Sequence, residues 1–383
     1  MIPYGRQNIS EQDIEAVVEV LKSDYLTQGP KVPAFEQAVA EYSQAKYAIA
    51  TNSATSALHI ACLALDIGQG DIVWTSPNSF VASANCALYC GAAVDFVDID
   101  FNTGNMCVDT LATKLEQAQK QAKLPKAIIP VHFAGQSCDM QAVNKLAKQY
   151  GIFIIEDASH AIGGQYQQKP VGSCQYSDIT IFSFHPVKII TSAEGGMALT
   201  NSAKLKEKLA LYRSHGVVSS ADKFTEESHG PWYYQQQALG FNYRMTELQA
   251  ALGLSQISRL REFVDKRNEL ASYYDKSFKN LGISTLTQQE HVLSAYHLYV
   301  ICLPFSDNNQ HSEAISFLRE QGIWAHVHYI PIHLQPYYQN LGFKQGDFPN
   351  AEQYYQQAIT LPLHPDLTTE QQQYIIEKVA SLL

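Results

Sequence analysis

The sequence Ile154-Ile155-Glu156-Asp157-Ala158-Ser159-His160-Ala161 places two acidic residues directly after a strongly apolar run. The run has the length and the β-branched content of a buried strand. Similar short runs alternate with segments of helical periodicity from residue 47 to residue 200. Strands spaced by helices indicate a mainly parallel sheet covered on both faces, and such sheets carry their active sites at the carboxyl ends of the strands.

The alternation predicts a seven-stranded α/β domain and a smaller C-terminal α/β domain. Strands are predicted at 47–51, 71–75, 94–99, 127–133, 153–156, 179–184 and 197–200, then at 295–303 and 324–329. Helices are predicted at 11–22, 55–65, 79–90, 108–122, 140–150, 203–214, 245–281 and 312–321, and from 368 onward. The polar segment 219–237 is typical of a long loop. We therefore expect an N-terminal segment (1–29), a large domain (30–245), and a linking helix with a small domain (246–383).

Composition excludes several function classes. Of the 383 residues, 46% are hydrophobic and 17% are charged, and the formal net charge is −10. Without a run of like charges, a nucleic-acid or membrane partner bound through a broad basic face is not expected. No apolar run approaches the ~18 residues of a membrane helix, and an apolar signal segment is not recognisable, so a cytoplasmic protein is expected. The seven cysteines lack a CxxC pair and are expected to be reduced core residues.

Two segments at predicted strand ends suit the binding of a charged group. An acid at the position of Asp157 needs a partner, because burying an unpaired carboxylate is costly. A cationic ring nitrogen would provide one, but a helix cap or a metal ligand fits the local sequence equally well. The segment Asn52-Ser53-Ala54-Thr55-Ser56-Ala57 places small residues at a helix N-terminus, which makes a phosphate-sized cup. An ordinary serine N-cap has the same sequence.

Two further segments supply a reactive amine and an aromatic ring. Lys188 ends the sequence Ile181-Phe182-Ser183-Phe184-His185-Pro186-Val187-Lys188 and precedes Glu194-Gly195-Gly196. Most lysines are solvated surface charges, but one that is partly desolvated after a buried strand becomes a nucleophile able to form a Schiff base. Phe80 begins a predicted helix and could be a core residue or could stack on a flat cofactor.

Together these groups indicate pyridoxal 5′-phosphate (PLP) as the cofactor. A phosphate cup, a stacking ring, an acid for the pyridinium nitrogen and a Schiff-base lysine are the four features that PLP requires. His326, His328 and His333 would allow a metal enzyme, but no carboxylate or cysteine stands at ligand spacing, so no metal is expected. Without a Gly-x-Gly-x-x-Gly or Walker sequence, nucleotide-redox and kinase functions have no supporting motif.

The order of these motifs resembles the DegT/DnrJ/EryC1/StrS family of sugar aminotransferases, which has the aspartate aminotransferase fold type I. The resemblance covers nearly the whole chain. Its motifs are Leu26-Thr27-Gln28-Gly29, residues 52–58, Glu156-Asp157-Ala158-Ser159-His160, residues 182–188, Glu194-Gly195-Gly196, Gly240-Phe241-Asn242-Tyr243-Arg244-Met245 and Ala325-His326-Val327-His328-Tyr329. The sequence departs from the family pattern at Ser83, where threonine is common, and in the insert 219–237.

The resemblance implies a role for each site residue. Lys188 would be the catalytic residue that binds the cofactor, and Asp157, supported by His160, would keep the pyridine nitrogen protonated. The cofactor contacts would be Ser53, Ala54, Thr55, Phe80, Asp157, His160, Ser183 and Asn242. The substrate contacts would be Tyr4, Tyr25, Leu26, Thr27, His185, Glu194, Arg244, His326, His328 and Tyr329. The resemblance also implies a homodimer with shared active sites, in which the segment carrying Asn242 and Arg244 reaches the neighbouring cofactor phosphate.

The substrates follow from the same resemblance. Three segments (52–58, 79–85 and 182–188) are most similar to the branch that aminates C4 of a UDP-4-keto-6-deoxy-N-acetylhexosamine for pseudaminic acid biosynthesis. A UDP-sugar is therefore the expected acceptor and L-glutamate the expected donor. A related 4-aminotransferase of the bacillosamine, legionaminic or 4-amino-arabinose type is an alternative. A regulatory protein that keeps the fold without the chemistry is another, although the presence of Lys188, Asp157 and Ser183 argues against it.

Overall fold

The computed structural model describes residues 1–305 and 307–383. The helices are α1 (Glu11–Leu21), α2 (Lys31–Ser43), α3 (Ala54–Ala64), α4 (Ala82–Tyr89), α5 (Val108–Lys120), α6 (Met140–Tyr150), α7 (Ala203–Arg213), α8 (Glu247–Ile257), α9 (Leu260–Asn280), α10 (Asn308–Glu320), α11 (Pro336–Gln339), α12 (Pro349–Gln357) and α13 (Thr369–Ala380). Short 3₁₀ turns occur at Phe133–Gly135, Ala221–Lys223 and Ile332–Leu334.

The strands are β1 (Tyr47–Thr51), β2 (Ile72–Thr75), β3 (Ala93–Phe96), β4 (Ala127–Ile129), β5 (Phe153–Asp157), β6 (Gln165–Tyr166), β7 (Lys169–Pro170), β8 (Ile179–Ser183), β9 (Gly196–Thr200), β10 (Val217–Val218), β11 (Gln235–Gln236), β12 (Ser284–Thr285), β13 (Val292–Leu293), β14 (Tyr299–Cys302) and β15 (Ala358–Leu361).

The central sheet has seven strands in the order β1-β9-β8-β5-β4-β2-β3. Strand β9 is antiparallel to both of its neighbours, and the other pairs are parallel. The pairing brings the ends of three strands together, because Gly196 at the start of β9 faces both Thr51 and Ser183. The α/β fold with a mainly parallel seven-stranded sheet is thus confirmed.

Both faces of this sheet are covered by helices, as its apolar strands require. Along β8, Ile179 and Ile181 pack in one core with α3, whereas Phe182 and the following Phe184 pack in a second core with α2, α8 and α9. This alternation follows from the two-residue period of a strand. Helix α3 is buried on nearly every side, so its N-terminus has a fixed position against the sheet edge.

The C-terminal part forms a separate antiparallel sheet, β12-β14-β15, which packs on α9, α10 and α13. The N-terminal segment joins this part of the molecule. Ile2 pairs with Ile323, and the carbonyl of Tyr4 accepts a hydrogen bond from the Leu363 amide at 3.0 Å. These contacts place Tyr4 near the edge of the central sheet.

Several predicted elements differ in the structure. Three differ in length: β4 ends at Ile129 rather than at 133, β14 begins at Tyr299 rather than at 295, and α10 begins at Asn308 rather than at 312. The helix predicted over 245–281 is two helices, α8 and α9, which meet at Arg259, where the side chain is held by Asn8 and Asp13 of the N-terminal segment. Residues 324–329 are not a strand: only His326 forms a bridge, to Thr360. The helix predicted from Ser79 begins at Ala82. The segment 219–237 contains a 3₁₀ turn and the strand β11, which pairs with β10, so it is not wholly a loop.

Candidate active site

A cavity of about 460 Å³ opens at the carboxyl ends of β1, β5 and β8. Thirteen of the predicted site residues line it, namely Tyr4, Ser53, Ala54, Thr55, Phe80, Asp157, His160, Ser183, His185, Lys188, Glu194, His328 and Tyr329. The position agrees with the rule that sites in α/β sheets lie beyond the strand ends. The structure therefore brings together residues that are up to 325 positions apart in the chain.

Both oxygens of the Asp157 carboxylate are held by hydrogen-bond donors. Oδ2 accepts from the Ser83 hydroxyl at 2.6 Å, and Oδ1 accepts from the Ser159 hydroxyl at 2.5 Å and its amide at 3.1 Å. Donors of this kind stabilise the ionised form and fix its orientation. Beside Asp157 in β5, Glu156 is paired with the buried His132 at 2.7 Å. The acid that faces the cavity is thus Asp157, whereas Glu156 is paired with His132 and does not line the cavity.

The Lys188 side chain faces the cavity, and its Nζ lies 3.3 Å from Nε2 of His297. Part of the side chain is accessible from the cavity, but the amine lies among buried groups. Burial lowers the pKa of Lys188 to about 8, and the Asp157 carboxylate opposes that shift. A lower pKa increases the fraction of unprotonated amine at neutral pH, and this is the nucleophilic form.

The N-terminus of α3 forms an anion-binding cup at the cavity wall. The Ser53 hydroxyl caps the helix by accepting from the Ser56 amide at 3.1 Å. In the described chain the amides of Ala54 and Thr55 donate to no acceptor, and the Ser183 hydroxyl likewise forms no hydrogen bond. Free amides at the positive end of a helix, with a hydroxyl beside them, suit a phosphate group.

His160 was expected to support Asp157, but in the described chain it forms no hydrogen bond with that carboxylate. Its Nε2 lies 3.1 Å from the Tyr329 hydroxyl, and its ring lies 4.4 Å from that of His297. Burial, Lys188 and His328 lower the pKa of His160 well below the usual value, so the ring is neutral. Phe80, 60% exposed, lies at the cavity wall just before α4, where a flat ligand would cover it.

The predicted substrate residues, together with Asn242, a predicted cofactor contact, fall into two groups. Tyr4, His185, Glu194, His328 and Tyr329 line the cavity, and His326 lies next to it, with its ring 4.7 Å from that of His328. In the part of the chain that the structure describes, Tyr25, Leu26, Thr27, Asn242 and Arg244 do not line the cavity. Thr27 pairs with Thr246, two residues after Arg244, and the Asn242 carbonyl accepts from the side-chain amide of Asn52 at 3.4 Å, next to the α3 N-terminus.

The histidines considered as metal ligands have separate partners. His328 Nδ1 lies 2.9 Å from the Thr360 hydroxyl, and His333 Nε2 lies 2.8 Å from a Glu352 oxygen. Among the described residues no group of three or more His, Cys, Asp or Glu side chains is arranged to hold a metal ion.

His297 is the site residue that the sequence analysis missed. It lies between Tyr296 and Leu298 in a segment predicted as a strand. The available signal was a single imidazole in an otherwise apolar and aromatic run, and a core histidine gives the same pattern.

Comparison with known proteins identifies the family. Residues 7–380 match the DegT/DnrJ/EryC1/StrS aminotransferase family. The chain belongs to this family. It is 39% identical to the UDP-4-amino-4,6-dideoxy-N-acetyl-beta-L-altrosamine transaminase of Campylobacter jejuni, over 100% of this chain and 98% of that protein. It is also 39% identical to the spore coat polysaccharide biosynthesis protein SpsC of Bacillus subtilis, over 100% of this chain and 97% of that protein.

A solved relative confirms the fold and the cofactor. The PLP-form of Spr1654 from Streptococcus pneumoniae is 30% identical, with a TM-score of 0.89, covering 100% of this chain and 98% of that one. The protein is therefore a PLP-dependent sugar aminotransferase. None of the described helices is long and apolar enough to span a membrane.

The cavity residues fit PLP. The free amides of Ala54 and Thr55 with the Ser183 hydroxyl would hold the phosphate, the oriented Asp157 carboxylate would hold a protonated ring nitrogen, and Lys188 offers an amine of lowered pKa. These groups differ in chemistry and converge on one space, and this combination distinguishes the site from a helix cap or a solvated lysine.

Proposed function

We propose that this protein transfers an amino group from L-glutamate to C4 of a UDP-4-keto-6-deoxy-N-acetylhexosamine, giving UDP-4-amino-4,6-dideoxy-N-acetyl-β-L-altrosamine. The observation that carries the proposal is the cavity wall around Lys188, where Tyr4, His185, His328 and Tyr329 present polar aromatic groups. Such groups suit sugar hydroxyls and an acetamido group better than the side chain of an amino acid. The similarity to the Campylobacter jejuni transaminase supports this choice of substrate.

In this function each cavity residue has a distinct role. When bound, PLP supplies an electron sink for the carbon next to the reacting nitrogen. Asp157 would hold the pyridine nitrogen in its protonated state. Lys188 would bind the cofactor covalently between turnovers, and its free amine would take the proton from the glutamate Cα and deliver a proton at C4 of the sugar. The Ala54 and Thr55 amides would keep the phosphate in place.

The role of Lys188 is tested by chemical trapping. Borohydride reduction of the PLP-loaded protein, followed by peptide mass mapping, should find the cofactor on Lys188. Lys188→Ala should lose both the adduct and all measurable turnover, because no other described lysine lines the cavity. Lys204→Ala, on the exposed face of α7, is the matched control and should retain both. An adduct on another lysine would contradict the assignment.

A related 4-aminotransferase of the bacillosamine type is the second candidate. The chain is as similar to SpsC as to the Campylobacter jejuni transaminase, and this favours testing a second sugar substrate. The two candidates are separated by offering the L-arabino- and the D-xylo-configured UDP-4-keto sugars separately with glutamate. The proposal expects amination of the L-arabino isomer, identified by NMR of the product. Turnover of the D-xylo isomer alone would contradict the proposal and would indicate an aminotransferase of the bacillosamine type.

A further inference from the structure

His297 lies beside the reactive lysine and belongs to none of the motifs of the site. Its Nε2 is 3.3 Å from Lys188 Nζ, and the residue is only 4% exposed. Among the described residues no other side chain forms a hydrogen bond with this amine. The contact joins a residue just before β14 to the turn after β8, two segments that are 109 positions apart.

The other ring nitrogen of His297 determines the direction of the hydrogen bond. Nδ1 is buried and has no hydrogen-bond partner in the described chain. A proton on Nδ1 would be a buried N–H without an acceptor, which is less favourable than an unpaired acceptor nitrogen. The neutral ring therefore carries its proton on Nε2. Nε2–H can donate only to the lone pair of an unprotonated Lys188 amine, because an ammonium group has no lone pair.

A second buried residue fixes the position of the His297 backbone. Arg267, which is 1% exposed, donates from Nη1 to the carbonyls of Tyr296 at 3.1 Å, His297 at 3.4 Å and Leu363 at 2.9 Å. Because one guanidinium group binds carbonyls from two segments, Arg267 fixes the His297 carbonyl relative to Leu363. The imidazole thus projects toward Lys188 from a backbone that Arg267 holds by hydrogen bonds.

We propose that His297 is a positioning residue that donates Nε2–H to the Lys188 amine and holds it as the free base, directed into the cavity, whenever the amine is not bonded to the cofactor. The inference rests on the proposed function, since an aminotransferase releases and reuses this amine in each half-reaction. Burial lowers the pKa of the Lys188 amine. The hydrogen bond from His297 favours the unprotonated amine further.

The other charged and titratable groups around the pair do not replace this donor. The Asp157 carboxylate favours the ammonium form of Lys188. Burial, and after it Lys188, His160, Arg267 and His328, lower the pKa of His297 well below the usual value, so its ring stays neutral. His185, which also feels the charge of Lys188, lies on the same turn and is exposed.

The test measures the Lys188 amine in the protein without PLP. Competitive acetylation with acetic anhydride over a pH series, followed by peptide mass spectrometry, gives the midpoint at which Lys188 becomes reactive. In His297→Phe the midpoint should rise by about one pH unit, which is a tenfold loss of free amine at lower pH. Because a phenyl ring makes the surroundings less polar and would by itself lower the midpoint, a rise identifies the lost hydrogen bond.

Two conservative variants and a control keep the result interpretable. His297→Gln places an N–H donor at the reach of Nε2 and should keep the wild-type midpoint, whereas His297→Asn, whose amide matches Nδ1, should behave like the phenylalanine variant. His364→Phe is the matched control, because His364 is equally buried and both of its ring nitrogens lack partners in the described chain. Its midpoint should equal that of the wild type.

A lower or unchanged midpoint in both His297→Phe and His297→Asn would overturn the role of His297. Borohydride trapping in the wild type separates this outcome from a failure of the proposed function. An adduct on a different lysine would overturn the proposed function, whereas an adduct on Lys188 together with an unmoved midpoint would overturn only the inference about His297.

Discussion

At the scale of single residues, Ser83 is the side chain that connects α4 to the cofactor acid. Its hydroxyl donates to Asp157 at 2.6 Å and is itself paired with Ser79 at 2.7 Å. Hydrogen bonds to a charged group contribute about 1.5–3 kcal/mol, so Ser83→Ala should lower kcat/KM by about 10- to 100-fold. Steady-state kinetics with glutamate and the keto sugar, with a thermal unfolding curve, provides the measurement.

Ser83→Thr is the matched variant for that prediction. It keeps the hydroxyl that donates to Asp157, so its activity should stay close to that of the wild type. Equal activity of Ser83→Ala and the wild type would show that Ser159 alone suffices to orient the carboxylate of Asp157.

At the scale of elements, the N-terminus of α3 depends on a glycine in β9. A Cβ atom on Gly196 would lie 2.4 Å from both the Ala54 nitrogen and the Ser53 carbonyl carbon. Neither backbone atom can move without displacing the phosphate cup. Gly196→Ala should therefore lower the free energy of unfolding by about 1–3 kcal/mol and weaken PLP binding, measured by chemical denaturation and by cofactor titration. Gly68→Ala, whose nearest neighbour is 3.9 Å away, should change neither, and wild-type PLP affinity in Gly196→Ala would refute the argument.

Elements that depend on local sequence were predicted from the sequence, whereas those that depend on contacts between distant residues were not. The strands of the central sheet are local apolar runs, and six of the seven lie within three residues of their predicted ends. Helix α2 was missed because its N-terminus is capped from far away: the Glu247 carboxylate accepts from the amides of Lys31 and Val32. The same limit applied to His297, because only the tertiary fold places it against Lys188. Motif residues at strand ends were predictable because strand order alone brings them to one edge.

At the scale of the whole molecule, large apolar side chains are exposed in two segments that carry predicted site residues. Tyr25 is 56% exposed and lies in the segment 25–29, and Leu239 is 80% exposed and lies in the segment 239–246. The predicted site residues of both segments are absent from the cavity lining. Large apolar side chains exposed in segments that carry predicted site residues are typical of a surface that a second subunit covers. We propose that the protein is a homodimer in which Asn242 and Arg244 of each chain complete the site of the other, as the family resemblance implies.

Mixing of inactive variants tests this arrangement. If Asn242 acts on the neighbouring site, a heterodimer of Lys188→Ala and Asn242→Ala chains contains one site with both defects and one with none. Random exchange should then restore about a quarter of the wild-type activity, because half of the dimers are mixed and each has one intact site. Lys188→Ala mixed with Ser183→Ala is the control, since both residues line the cavity of one chain and no mixed dimer has an intact site. Absence of recovery in the first mixture, with subunit exchange verified by native mass spectrometry, would show that each chain builds its site alone.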